Sequence, residues 1–234
     1  MKIEVSLTPA LYPYRTIKES HITVAIDVLR ATTAVCAAFR AGCSEVVPLD
    51  TLEGLEPYRA QGYGIAAERG GRKLPGSDYG NSPTEYMSKD MSGVRLAYST
   101  TNGTVSILKG ADAELTLVGA FANRDALCER LKEEGRNVVL LCSGWQNDFC
   151  LEDTLVAGAI IDRLGSPHGD AANMALALWK AAEGDPYGYC RDASHVHRLQ
   201  GFGPQAVADI EFAFKMNTCP VVPVLRDGKL KIEN

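Results

Sequence analysis

Three stretches of the chain share one order, in which an apolar strand is followed by a polar loop and then by a helix. The predicted strands are residues 21–29, 94–98 and 137–142. Each is apolar at almost every position rather than at alternate ones, which is typical of a strand buried on both faces. The helix after the third loop carries one buried stripe, formed by Leu151, Leu155, Val156, Ile160 and Leu164.

Alternation of such strands with helices predicts an α/β fold, with a layered and mainly parallel sheet covered by helices on both faces. A hairpin with an Asp-Gly turn over residues 221–232 closes the chain. We expect residues 1–234 to form a single unit and leave open two closely packed α/β subdomains. Ligands of such folds bind beyond the carboxyl ends of the strands, where all three polar loops are expected to lie.

Composition narrows the class of protein. Hydrophobic residues make up 46% of the chain, which excludes intrinsic disorder. The net charge of −5 is opposite in sign to that of a typical nucleic-acid-binding protein, so we expect no nucleic-acid partner. No apolar run approaches the ~20 residues of a membrane span. The seven cysteines lack a CxxC pair, so we expect buried free thiols and a cytoplasmic location. The sequence leaves a homodimer open.

Acidic residues follow the predicted strands. Asp27 lies within an apolar strand, where a carboxylate is costly unless it is paired or binds a cation. It either pairs with Arg30 and caps the next helix, or ligates a metal. Glu152 and Asp153 stand in a helix's first turn, as dipole partners or as ligands. Together with Glu68, these acids offer enough oxygens for one Mg²⁺.

Hydroxyl-rich loops precede two of the helices. Thr32 and Thr33 follow the first strand, and residues 100–104 (TTNGT) follow the second. Hydroxyls and free amides at a helix start bind anions, but the same residues also serve as ordinary helix caps. Two such loops at one sheet edge favour a phosphate or sulfonate site.

Other motifs are weaker. His195 and His197 would share one face of a strand, as in a metal pair, although histidines near a helix start are more often surface or capping residues. Cys142 begins the third loop, but Asp148 replaces the arginine that a cysteine phosphatase needs. Leu29 replaces the second aspartate of a haloacid-dehalogenase phosphatase. The chain has no GxxxxGK[ST] loop for nucleotide phosphates.

Five blocks of residues resemble the 2-phosphosulfolactate phosphatase family of coenzyme M biosynthesis. They are residues 27–33 (DVLRATT), 68–71 (ERGG), 80–83 (GNSP), 99–104 (STTNGT) and 151–153 (LED). The blocks run in family order. The resemblance implies an α/β fold and Mg²⁺-dependent hydrolysis of the phosphate ester of a sulfonated hydroxy acid. The chain departs from the family pattern at Ser77 to Tyr79 and in the loop before Leu151, both beside the expected pocket.

The resemblance and the residue chemistry together lead to specific expectations. Asp27, Glu68 and Glu152 or Asp153 would hold Mg²⁺, and Arg30 and Arg69 would supply fixed positive charge. Asp27 would act as base or nucleophile. The residues expected to bind the small anionic phosphorylated substrate are Thr32, Thr33, Asn81, Ser82, Thr100, Thr101, Asn102, Gly103 and Ser143. Two alternatives remain open, namely a phosphatase for another phosphorylated hydroxy acid and a non-catalytic protein that binds a sulfonate or phosphonate.

Overall fold

The computed structural model describes residues 1–146 and 148–233, so Asn147 of the third polar loop lies outside the described residues. Its strands are β1 (Ile3–Ser6), β2 (His21–Ile26), β3 (Glu45–Pro48), β4 (Gly64–Arg69), β5 (Arg72–Lys73), β6 (Arg95–Ser99), β7 (Leu115–Gly119), β8 (Asn137–Cys142), β9 (Pro223–Arg226) and β10 (Lys229–Ile232). Its helices are α1 (Ala31–Arg40), α2 (Glu56–Arg59), α3 (Pro83–Met87), α4 (Gly103–Lys109), α5 (Arg124–Glu134), α6 (Leu151–Leu164), α7 (Asp170–Ala182), α8 (Pro186–Tyr189), α9 (Ser194–Gln200) and α10 (Pro204–Ala213).

The ten strands form one sheet in the order β1-β8-β2-β7-β9-β10-β3-β6-β4-β5. The α/β class is confirmed, but the sheet is mixed rather than mainly parallel. The predicted C-terminal hairpin is confirmed as β9 and β10, and it sits in the middle of the sheet. It pairs antiparallel with β7 on one side and with β3 on the other. Two parallel groups of strands are thereby joined through the last residues of the chain.

Helices cover both faces of the sheet, as the alternation predicts. Along β2, Ile22, Val24 and Ile26 belong to one apolar core, which also contains residues of α6 and α7. Ala25 faces the other core, formed with α1 and α3. Successive side chains of a strand point to opposite faces, so a strand between two helical layers must be apolar throughout.

We expected all three polar loops to lie at one edge of a parallel sheet, but the strand pairing does not place them on one edge. Because β7, β9, β10 and β3 pair antiparallel in turn, the β2 group and the β6 group run in opposite directions. Strands in a sheet rotate by about 20–25° per step, so the five steps from β2 to β6 accumulate roughly 100°. This twist lets the carboxyl ends of the two groups meet. A Cβ built on Gly103, after β6, would lie 2.7 Å from Asp27 Oδ2, after β2.

Local structure differs from expectation at one motif, since His195 and His197 lie in helix α9 and not in a strand. The glycine-rich stretch 66–86 contains most of the β4–β5 hairpin and all of α3. All seven cysteines are buried and free, as predicted. Among the described residues, no helix has the length and apolar character needed to cross a membrane.

Candidate functional site

A polar cleft lies where the loops after β2, β4 and β6 meet. Six of the sequence-predicted site residues line it, namely Asp27, Arg30, Glu68, Asn81, Thr101 and Asn102. Three more lining residues, Trp145, His195 and Arg198, were not assigned to the site from the sequence. The cleft encloses about 30 Å³, enough for about two water molecules.

Asp27 is the first residue after β2 and is buried at the start of α1. Its Oδ1 accepts a hydrogen bond from the Ala31 amide at 3.1 Å, and it forms no ion pair with Arg30. Burial raises the pKa of Asp27 to about 6. The Ala31 amide and His195 oppose this shift, while the nearby charges of Glu68 and Glu152 add to it. Asp27 is therefore a carboxyl group within reach of two other acids, and not the partner of an arginine.

Glu68 is fixed by backbone amides of two loops. Its Oε1 accepts from the Thr101 amide at 2.7 Å, and its Oε2 accepts from the Gly71 amide at 2.6 Å. The side chain thus ties the β4–β5 turn to the loop after β6. It presents a buried negative charge toward the cleft with little freedom to rotate, because both oxygens are held.

The acids at the start of α6 differ in their partners. Asp153 accepts from the amides of Val28 at 2.8 Å and Gly144 at 3.0 Å. Burial, together with the charges of Asp27 and Glu152, raises the pKa of Asp153. Glu152 is 1% exposed, and its Oε1 lies 2.7 Å from His195 Nδ1. Its Oε2 is buried without a hydrogen-bond partner among the described residues.

This set of donors fits a hard divalent cation. Asp27, Glu68, Glu152 and Asp153 bring mutually repelling carboxylates into a buried region, and a cation relieves that repulsion. The unpartnered Oε2 of Glu152 is an oxygen that a cation would satisfy. Asp27 and Glu152 have the freer oxygens, whereas both oxygens of Glu68 and of Asp153 already accept amide hydrogen bonds.

Arg30 is held by a residue from the far end of the chain. Its Nη1 donates to Asp209 Oδ2 at 2.7 Å, and its Nη2 donates to the Gly71 carbonyl at 2.5 Å. Asp209, on α10, is fully buried and also accepts from the hydroxyls of Ser82 and Thr84. The guanidinium, 8% exposed, is therefore fixed at the cleft wall by two acceptors.

Arg198 is a second arginine in the lining of the cleft. Arg69, the arginine expected there, donates to the carbonyl and hydroxyl oxygens of Ser99 and is not among the lining residues. Arg198, on α9, lies 4.8 Å above the Trp145 ring and donates to the Gly70 carbonyl at 2.5 Å. Stacking on an aromatic face orients a guanidinium without neutralising it.

The threonines after β2 tie the first turn of α1 to the backbone of the loop before it, and neither caps a free amide of the helix. Thr32 Oγ1 donates to the Asp27 carbonyl at 2.8 Å and accepts from the Asp27 amide, while Thr33 Oγ1 donates to the Val28 carbonyl. Both threonines are fully buried, outside the cleft lining. Thr100 and Thr104 form a reciprocal cap at α4.

Of the remaining expected residues, some line the cleft and others stabilise the structure around it. The Tyr98 hydroxyl donates to Asn81 Oδ1, which leaves the amide nitrogen of Asn81 as the end available to an anion. Gly103 allows the start of α4 to approach α1 closely, because a Cβ at this position would lie 2.2 Å from the Ala31 Cβ. Ser82 caps α3 through the Glu85 amide, and Ser143 bonds the Ser106 hydroxyl, so neither lines the cleft.

His195 lines the cleft, although it was not predicted as a site residue from the sequence. It is 8% exposed rather than on the surface, and it bonds Glu152 while its ring stacks on Trp145, with 5.7 Å between centroids and 4° between planes. His197, two residues on, is exposed, which agrees with the surface alternative. No pattern in the sequence distinguishes these two histidines, since only the docking of α9 buries one of them.

Comparison with known proteins identifies the family. The family model described as 2-phosphosulpholactate phosphatase matches residues 6–228. A relative from Synechococcus sp. (strain JA-3-3Ab), named a probable 2-phosphosulfolactate phosphatase, is 37% identical over 209 residues, 86% of each chain. A relative of the same name from Gloeobacter violaceus is 35% identical over 228 residues, covering 95% of this chain and 94% of its own. The chain therefore belongs to the 2-phosphosulfolactate phosphatase family.

Proposed function

We propose that this protein is a Mg²⁺-dependent phosphatase that hydrolyses 2-phosphosulfolactate to sulfolactate and phosphate. The observation that carries the proposal is the meeting of acids and arginines at one cleft, which is lined by the buried Asp27, Glu68 and Arg30 and by the half-buried Arg198. Family membership and the names of the relatives support the substrate. Phosphate ester hydrolysis requires both kinds of charge, because the transferring oxygens must be neutralised while water attacks phosphorus.

Asp27 and Glu152 would hold the cation directly, with the amide-fixed Glu68 and Asp153 adding negative charge around it. When bound, Mg²⁺ neutralises oxygens of the transferring phosphoryl group. The choice of Mg²⁺ follows from donors that are carboxylate oxygens, which this cation prefers together with water.

Asp27 is the residue placed to start the reaction. One oxygen of its carboxylate would hold the cation, and the other would either take a proton from the attacking water or attack phosphorus itself. When Asp27 acts as base, the proton that it takes from water passes to the ester oxygen as the bond between phosphorus and that oxygen breaks. When Asp27 attacks phosphorus, the ester oxygen leaves with a proton from solvent, and water then hydrolyses the aspartyl phosphate to release phosphate. A pKa of about 6 keeps most of Asp27 ionised at neutral pH, as either role requires.

Arg30 and Arg198 would receive the two anionic ends of the substrate. Arg30 is rigid, since Asp209 and the Gly71 carbonyl hold it, and rigid donors suit charge that develops during reaction. Arg198 sits at the rim on Trp145 and can leave the Gly70 carbonyl as the substrate enters. We assign the phosphate to Arg30, with Thr101 and Asn102, and the sulfonate to Arg198.

Three further expectations belong to the same proposal. We expect the phosphatase to serve coenzyme M biosynthesis and to act in the cytoplasm. Seven buried free thiols suit that reducing compartment. A homodimer also belongs to the proposal, as the assembly we expect in solution.

Phosphate release from racemic 2-phosphosulfolactate, with phospholactate beside it, tests the proposal. We expect release in Mg²⁺ that is selective for the sulfonated substrate. Equal release from phospholactate would assign the enzyme to another phosphorylated hydroxy acid. Absence of release, with tight binding of sulfolactate by calorimetry, would replace the phosphatase by a small-anion-binding protein.

A further inference from the structure

Beside the cleft, three side chains of different chemistry meet around one nitrogen atom. Cys150 precedes α6, Glu152 is in its first turn, and His195 is on α9. One donor atom from each lies within 4.8 Å of the others. All three side chains are buried, with 5%, 1% and 8% exposed. None of the proposed steps of phosphate hydrolysis uses the thiol or the imidazole.

The geometry excludes a nucleophilic triad. In such a triad the thiol and the carboxylate bind opposite nitrogens of the imidazole, so that the ring passes the proton between them. Here His195 Nδ1 lies 3.6 Å from Cys150 Sγ and 2.7 Å from Glu152 Oε1, so both contacts fall on the same nitrogen. The three groups converge on a point instead of forming a relay.

Convergence of this kind suits metal ligands once the 2.7 Å hydrogen bond between His195 Nδ1 and Glu152 Oε1 opens to admit the cation. Typical Zn–S and Zn–N bonds at the tetrahedral angle put sulfur and nitrogen about 3.5 Å apart, and Sγ and Nδ1 are 3.6 Å apart here. A second observation concerns Glu152 Oε2, which is buried and unpartnered among the described residues. Protein groups therefore leave this carboxylate able to serve a cation within the trio as well as one at the Mg²⁺ position.

The chemistry of the donors selects the cation. Mg²⁺ prefers oxygen ligands, whereas thiolate and imidazole select borderline or soft metals. The trio also lines a second cavity of about 440 Å³ beside Trp145, which provides an entry path and room for a fourth ligand. Tetrahedral zinc sites with three protein ligands keep such an open position.

We propose that Cys150, Glu152 and His195 bind Zn²⁺ or a cation of the same class, at a site adjacent to the Mg²⁺ position and sharing Glu152 with it. Binding releases the thiol proton to solvent, so that sulfur coordinates as the thiolate. Because one carboxylate serves both sites, occupancy by Zn²⁺ competes with the arrangement that Mg²⁺ requires.

Cobalt titration of the metal-free protein tests the site through a readout other than turnover. Co²⁺ occupies zinc sites, and a bond to a thiolate gives a charge-transfer band in the near ultraviolet. We expect this band at one equivalent of Co²⁺, its displacement by Zn²⁺, and a weaker apparent affinity for Co²⁺ in excess Mg²⁺, because the two sites share Glu152. In Cys150→Ser the band should disappear and the affinity should fall at least roughly 100-fold.

Cys43→Ser is the matched control, since Cys43 is also buried but bonds only the carbonyls of Glu45 and Val94. It should retain the band. His195→Gln provides a second variant, in which the affinity should fall while the thiolate remains. A wild-type protein without the band, or a band that survives in Cys150→Ser, would overturn the zinc site. Phosphate release by the wild type in Mg²⁺ tests the phosphatase separately, so the two proposals can fail independently.

Discussion

Arg30 Nη1 donates to Asp209 Oδ2 at 2.7 Å, although 179 positions of the chain separate the two residues. Both groups are buried, with the arginine at the cleft wall and the aspartate behind it. The aspartate also accepts from Ser82 and Thr84 at the start of α3. One buried carboxylate from α10 thus positions the cleft's most rigid cation.

Replacing Asp209 should therefore impair both folding stability and turnover. Asp209→Asn leaves Arg30 as a buried charge without its counter-ion, and such losses cost about 3–5 kcal/mol of unfolding free energy. We expect kcat/KM to fall by more than tenfold under conditions where the variant is folded. Urea unfolding and phosphate-release kinetics measure the two effects. Asp162→Asn, which removes a surface partner of Lys180, is the control and should leave kinetics unchanged. Wild-type kinetics in Asp209→Asn would contradict the positioning role.

The local elements were predictable from the sequence, whereas the long-range partners were not. Strand β8 and helix α6 could be predicted from hydrophobic periodicity, because the order of apolar and polar residues within each segment shows which of its positions are buried. Asp209, His195 and Arg198 lie on α9 and α10, where a charged residue by default faces solvent. The burial of Asp209 and His195, and the place of Arg198 at the cleft, depend on how these helices dock on the sheet. The mixed strand directions likewise depend on where the C-terminal hairpin inserts, which no local pattern encodes.

Asp27→Asn tests the residue placed to start the reaction. Asparagine preserves the acceptor for the Ala31 amide, so the fold should persist, but it is neither a base nor a nucleophile. Turnover should fall by at least about 10²- to 10⁴-fold, the usual contribution of acid–base catalysis. Circular dichroism and thermal melting verify folding. Near-normal turnover would remove Asp27 from the mechanism.

Arg198→Met should weaken substrate binding more than it slows chemistry. Methionine retains part of the packing on Trp145 while removing the charge. Hydrogen bonds to charged groups contribute about 1.5–3 kcal/mol, so KM for 2-phosphosulfolactate should rise about 10- to 100-fold with kcat changing much less. The exposed Arg191, substituted in the same way, serves as control. A change confined to kcat would place Arg198 at the reacting phosphate and not at the sulfonate.

Acid sensitivity of the fold should depend on Glu45, which joins β3 to β10. Burial alone would raise its pKa, but hydrogen bonds from Tyr63, Lys231 and Lys229 outweigh this and lower it to about 2. A carboxylate with a depressed pKa stabilises the fold above its unfolded value of 4.5, and this stabilisation is lost as the pH falls toward 2. The contribution is at most about 3 kcal/mol, reduced by solvent around the two lysines.

Urea unfolding of Glu45→Gln at pH 7 and pH 3 measures this contribution. The variant should be less stable than the wild type at pH 7. The difference should shrink by more than half at pH 3, because Glu45 is then protonated in the unfolded chain while it stays mostly ionised in the folded one. Glu53→Gln, an exposed loop substitution, should show no such trend. A difference that stays constant with pH would contradict the assigned interaction.

Phosphate release from 2-phosphosulfolactate by protein stripped of metal, before and after addition of Mg²⁺, tests the central claim most directly. The cluster of Asp27, Glu68, Glu152 and Asp153 requires a cation to bring a phosphate dianion close, so metal-free protein should be inactive. Added Mg²⁺ should restore release, and EDTA should abolish it again. Full activity of the metal-free protein in EDTA would contradict the account of these buried acids as a magnesium site.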